Sequence, residues 1–151
     1  MVLQNSRQLQ KFIYISNNFL YQLVDPNHIV LDNIKRISSA LDDTNFPLCA
    51  SISNNLVRFA WNMKLEEPLY IGEILEASFG ELAHALTRHL SPNAFDKAKN
   101  NIKNELREPF LKIMDAYTQN NSIQLHESLV RFRFIATTHQ LNIMVYGDKK
   151  W

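Results

Sequence analysis

Three glycines among 151 residues exclude most of the folds open to a chain of this length. Tight β-hairpins use Gly for positive φ, and doubly wound dinucleotide-binding folds need a Gly-rich turn after their first strand. Long helices joined by short Pro and Asn turns remain. The apolar pattern agrees, because hydrophobic residues recur at intervals of three and four along most of the chain.

Residues 122–147, SIQLHESLVRFRFIATTHQLNIMVYG, form the longest such run. Leu125, Leu129, Phe132, Ala136 and Ile143 make one row, and Val130, Phe134, Leu141 and Val145 make an adjoining one. A stripe of that width predicts a helix covered from two sides, in the middle of a bundle. Asn121 or Ser122 is placed to cap its first turn, and Gly147 tolerates the conformation that follows a helix end. About 25 residues give a rod of roughly 38 Å.

Earlier in the chain, Leu9, Phe12, Ile13, Leu20, Leu23 and Val24, widened by Ile15 and Phe19, predict an amphipathic helix over residues 6–24. Asp25-Pro26 ends it and opens the next, with Asp25 as cap and Pro26 at the first helical position. Val30, Ile34, Ile37 and Leu41 continue that helix to the loop at residues 42–47. A third helix carries Leu48, Ile52, Leu56, Phe59, Ala60 and Met63. A fourth, over residues 69–90, carries Ile71, Leu75, Phe79, Leu82, Leu86 and Leu90, with Gly72 and Gly80 as interruptions that each cost roughly 1 kcal/mol. Ser91-Pro92 starts another, whose stripe from Phe95 to Tyr117 crosses Pro109 in register, so two coaxial pieces or one kinked helix is expected. The sequence thus predicts an all-α fold: one domain over residues 1–151, a compact bundle of six to seven helices around a long central C-terminal helix.

At this length a single core buries about 70% of the unfolded surface without a staple. Lys and Arg number 16 against 15 Asp and Glu, a net charge of +1, so affinity for nucleic acid must come from local clustering. Cys49 is the single cysteine, which leaves no internal disulfide and fits a reducing compartment. The start MVLQNSRQLQ lacks the pattern of a secretion signal, and no apolar run approaches the roughly 18 residues of a membrane span. The expectation is a soluble, cytoplasmic protein with no membrane contact.

Glu81 and His84 have the Glu-x-x-His spacing of di-iron bundles, but no second such unit occurs, so neither metal nor cofactor is expected. Glu66, Glu67, Glu73, Glu76 and Glu81 make an acidic run that reads as a solvated face or a docking face for a basic partner. Lys99, Lys103 and Arg107, spaced four apart, form a row that suits a phosphate backbone, with Asn100, Asn101 and Asn104 interleaved. A plain solvated face, with Glu105 and Glu108 pairing along the helix, is the competing reading. Arg131 and Arg133 interrupt the last helix, where each guanidinium must either pair with a carboxylate or face a partner's phosphates.

Arg133 and His139 have an Arg-x5-His form that resembles the Arg-x(4 to 6)-His motif of HEPN-type ribonucleases. That resemblance implies a dimeric helical bundle in which the arginine and histidine promote attack by the ribose 2′-OH. In length, helical class and charge layout the chain is similar to the small subunits of CRISPR effector complexes. This second resemblance implies a bundle aligned along a filament of backbone subunits, helping to hold target or displaced strand. Lys99, Lys103, Arg107, Arg131 and Arg133 would then contact the strand, and the acidic run would face a neighbouring subunit. The leading expectation is a non-enzymatic subunit of a nucleoprotein assembly, with DNA or RNA backbone and protein subunits as partners. A metal-independent ribonuclease using Arg133 and His139 is the enzymatic alternative, and a protein-only adaptor presenting Trp61, Tyr70 or Trp151 is the third.

Overall fold

The computed structural model describes residues 25–151, and the helix expected over residues 6–24 lies outside them. Among the described residues the chain forms five α-helices and no strand: α1 (Pro26–Asp42), α2 (Phe46–Met63), α3 (Glu66–His89), α4 (Pro92–Thr118) and α5 (Ser122–Tyr146). A 3-10 turn, Gly147–Lys150, precedes the terminal Trp151. The expected count of six to seven is therefore five here. The difference is residues 6–24 and Pro109, which sits inside one uninterrupted α4 and does not split it. Pro109 is buried on the core face, where packing offsets the hydrogen bond it cannot donate to the Glu105 carbonyl.

The helix starts follow local chemistry. Asp25 accepts a hydrogen bond from the Asn27 amide at 2.8 Å, Asn45 from Leu48 at 3.1 Å, Ser91 from Ala94 at 3.4 Å and Asn121 from Gln124 at 3.0 Å. Each satisfies an amide that the helix itself leaves without a partner. Three of these four helices also carry Pro in the first turn. The loop expected at 42–47 is shorter than its composition suggests, because Asn45-Phe46-Pro47 is itself a cap and first turn. Lys64 closes α2 in the left-handed conformation at φ 56°, and Gly147 follows α5 at φ 54°.

Around the bundle the order is α1, α2, α3, α5, α4, with α4 closing back onto α1. A chain of aromatic rings runs through the middle and links four helices. Phe46 of α2 stacks on Phe79 of α3 at 6.1 Å, Phe79 meets Phe132 of α5 edge-on at 5.5 Å, and Phe132 meets Phe110 of α4 edge-on at 6.1 Å. All four side chains are fully buried, in the offset and edge-on geometries that aromatic quadrupoles favour. Gly72 is a second fixed point. A Cβ there would lie 2.8 Å from Val57 Cγ2 and 3.1 Å from the Val57 backbone nitrogen, so the α2–α3 crossing depends on its absence. Gly80 has open space at the corresponding position.

Helix α5 differs from its expected place in the middle of the bundle. Leu125, Leu129, Phe132, Ala136 and Ile143 are buried, but Val130, Phe134, Leu141 and Val145 are exposed, Phe134 to 70%. At about 100° per residue the second row centres nearly opposite the first, so the neighbours α3 and α4 cover only one of them. The two rows do not merge into one broad stripe.

Cys49 lies in the core, its thiol directed at the Ile37 carbonyl at 3.7 Å. Burial, partly countered by a backbone hydrogen bond, pushes that thiol from 9.0 up to about 12. Alkylation of native protein by iodoacetamide at pH 8 should therefore proceed at the rate of unfolding, measurable by mass spectrometry with and without urea. In urea titrations Gly80→Ala should stabilise by about 0.5–1 kcal/mol through helix propensity. Gly72→Ala should destabilise by about 1–2 kcal/mol, because overpacking against Val57 outweighs the same gain.

Candidate nucleic-acid interface

The five basic residues singled out by sequence divide into three environments. Lys99, Lys103 and Arg107 lie one turn apart on α4, as their spacing requires. Lys99 pairs with Asp96 at 3.3 Å and sits over the Phe95 ring at 5.2 Å. Arg107 reaches across to Asp42 at the end of α1, at 3.2 Å. Both pairs are solvent-exposed on at least one side, which makes them worth about 0–1 kcal/mol each and readily exchanged for another anion. Lys103 has no ion pair among the described residues. Exposed Asn100, Asn101 and Asn104 flank the row.

On α5, Arg131 faces solvent and Arg133 does not act as a free cation. The Arg133 guanidinium donates to both Glu81 carboxylate oxygens, at 2.8 and 3.1 Å, and lies 3.4 Å from the Ser78 hydroxyl. The fork-on-carboxylate geometry ties α5 to α3, with the two side chains 32% and 38% exposed. Arg107 thus points to α1, Arg133 to α3 and Arg131 to solvent. Those five residues are not gathered onto one face.

His139 is buried, and its Nε2 contacts the Glu105 carboxylate on α4. Its ring stacks against Trp151 at 6.2 Å, brought there by the 3-10 turn. That turn is anchored by Asp148, which accepts a hydrogen bond from the Ser91 amide at 2.9 Å. His139 Nδ1 and Trp151 Nε1 are buried without hydrogen-bond partners among the described residues. Positions six apart on a helix diverge by about 120°. Arg133 is accordingly drawn to α3 and His139 to α4, each into its own interhelical pair.

The acidic run is partly structural. Glu67 accepts from the Ser122 hydroxyl at 2.9 Å, Glu76 from the Asn54 side chain at 3.0 Å, and Glu81 holds Arg133. These contacts join α3 to α2 and α5. Glu73, Glu76 and Glu81 also border an open hollow with Val57, Ala77 and Gly80. His84 is exposed, and no cluster of three or more His, Cys, Asp or Glu with metal-binding placement occurs among the described residues. Of the aromatic candidates, Trp61 is 70% exposed beside a cleft lined by Ala60, Leu65 and Leu69, whereas Tyr70 stacks on His126 at 5.9 Å.

Sequence reading missed the Glu81 and Glu105 partners. For Glu81 a partial signal exists: no Lys or Arg stands three or four positions away on its own helix, where His84 and Ala85 follow and Ala77 and Ser78 precede. For Glu105 the signal is that positions 101, 102, 108 and 109 are Asn, Ile, Glu and Pro, so no Lys or Arg one turn away on α4 is placed to pair with it.

No helix is long and apolar enough to cross a membrane among the described residues. Comparison of the chain with protein-family models, curated proteins and solved structures gives no match.

Arg133→Met should lower stability by about 1–2 kcal/mol in urea titrations, a charged hydrogen-bonded pair discounted for partial exposure. Arg131→Met should stay within about 0.5 kcal/mol of wild type, as for a surface substitution without a partner.

Proposed function

We propose that this chain is a non-enzymatic helical subunit of a nucleoprotein assembly, holding a nucleic-acid backbone against α4. The observation that carries this reading is the row Lys99, Lys103 and Arg107. Its charges stand one turn apart on a single helix and are engaged only in weak surface pairs. Phosphates spaced along a strand exchange for Asp96 and Asp42 at little cost, and each contact releases counterions. The flanking asparagines add donors to phosphate or sugar oxygens. Binding of this kind reads no sequence. It suits an assembly in which base pairing to a guide does the recognition, as in the small subunits of CRISPR effector complexes. Arg131 is an additional cation for the same strand or for another one. Arg133, engaged with Glu81, supports α5 and does not join the row.

The ribonuclease alternative draws less support from the geometry. Its arginine and histidine are each committed to a carboxylate on a different helix. The adaptor alternative draws on Trp61 and its cleft at the α2–α3 turn, where an apolar side chain of a partner would fit.

Fluorescence anisotropy with labelled single-stranded DNA and RNA, at two salt concentrations, tests the proposal. Wild type should bind both, and the triple variant K99Q, K103Q, R107Q should bind at least tenfold more weakly, with a shallower dependence on log salt by about two units. Equal binding by wild type and the triple variant would rule the α4 row out. RNA cleavage lost in His139→Ala would replace the proposal with the nuclease.

A further inference from the structure

The outward row of α5 is an apolar surface that runs the length of the helix. Ile123, Val130, Phe134, Leu141 and Val145 are between 51% and 76% exposed, with Met144 beside them at 49%. Single exposed apolar residues are ordinary, but a continuous row over the length of a helix marks a contact surface. Phe134 and Leu141 stand one heptad apart, and so do Ile123, Val130, Thr137 and Met144 in turn, the two sets alternating along one side of the helix. That is the spacing of a seam that receives a second helix.

We propose that this row joins two copies of the chain through an antiparallel α5–α5 contact about a two-fold axis. Three observations select a second copy as the occupant. The first is area. At these exposures the six apolar side chains offer about 700 Å² per copy, close to the roughly 800 Å² that each partner contributes to a standard stable interface. The second is charge. From Ser128 to Gly147 the chain carries no acidic residue, Arg133 is engaged with Glu81, and Arg131 stands exposed beside the row. Two such faces meet without burying an unpaired charge or opposing like charges. Glu127 lies on the seam near its outer end, where its carboxylate reaches water.

The third observation is that the row is complementary to itself. With the axis between Ile135 and Ala136, Val130 lies opposite the partner's Leu141, and Phe134 lies opposite the partner's Thr137. The largest side chain of the seam thus meets the smallest, the arrangement in which facing layers interdigitate. A two-fold axis makes each of these contacts twice. The α4 row is on another helix, so this inference does not rest on the nucleic-acid reading.

Sedimentation equilibrium of the full chain, from about 1 to 100 µM, reads the contact, since interfaces of this area hold at micromolar Kd or tighter. Wild type should sediment at twice the 17.6 kDa of one chain. Phe134→Glu should weaken association at least a hundredfold, with Cys49 still protected from iodoacetamide as evidence of an intact fold. Trp61→Glu, exposed on α2, should remain dimeric. Val130→Glu and Leu141→Lys test the pairing. Each alone should be monomeric, and their equimolar mixture should form a heterodimer, because the introduced carboxylate and ammonium lie opposite each other. A wild type that stays monomeric over the whole range would overturn the inference, as would a dimer that Phe134→Glu leaves intact. A mixture no more associated than its components would overturn the antiparallel pairing. None of these outcomes bears on Lys99, Lys103 and Arg107, whose test reads nucleic-acid affinity.

Discussion

The contact on which this bundle depends is the meeting of Phe79, Phe132 and Phe110, extended to Phe46. Four rings from four helices interlock, so the position of each helix is set by the others. Close-packed interiors resist even small volume changes, and a chain of large rings passes any shift at one helix on to the next. The caps and turns determine where each helix begins. The rings determine how the helices sit around one another.

Polar links then fix what the apolar contacts leave free. A row of leucines can slide or rotate along its groove at modest cost, whereas a guanidinium forked on a carboxylate has one geometry. Arg133 with Glu81 holds α5 to α3, and His139 with Glu105 holds α5 to α4. These two links flank the buried row and define which side of α5 faces inward. The same links draw on residues that a search for catalytic chemistry would single out. In a chain with little net charge, an isolated arginine or histidine on an apolar helix is first a candidate for pairing within the fold. Lys103 and Arg131, by contrast, have no ion pair among the described residues.

The uncovered face of α5 and the α4 row give the molecule two distinct outer surfaces. One is apolar and continuous, the other basic and flanked by amides. Leaving apolar area in water forgoes about 25 cal/mol per Å² relative to burying it. Basic residues on a solvated helix carry no such penalty and can wait for a ligand.

Much of the architecture was legible in the residues alone. The scarcity of glycine excluded sheets, and Asp25-Pro26, Ser91-Pro92 and Asn121 with Gln124 marked helix starts, because capping is a local interaction between residues two or three apart. The buried row of α5 was legible from spacing, since helical periodicity is fixed by the backbone. Three things were decided only by tertiary packing. Pro109 left α4 whole because its face is buried, Gly72 became a contact point because α2 crosses there, and Arg133 and His139 were committed to Glu81 and Glu105. Each depends on which helices lie side by side, and periodicity, being a property of one helix at a time, holds no information about its neighbours.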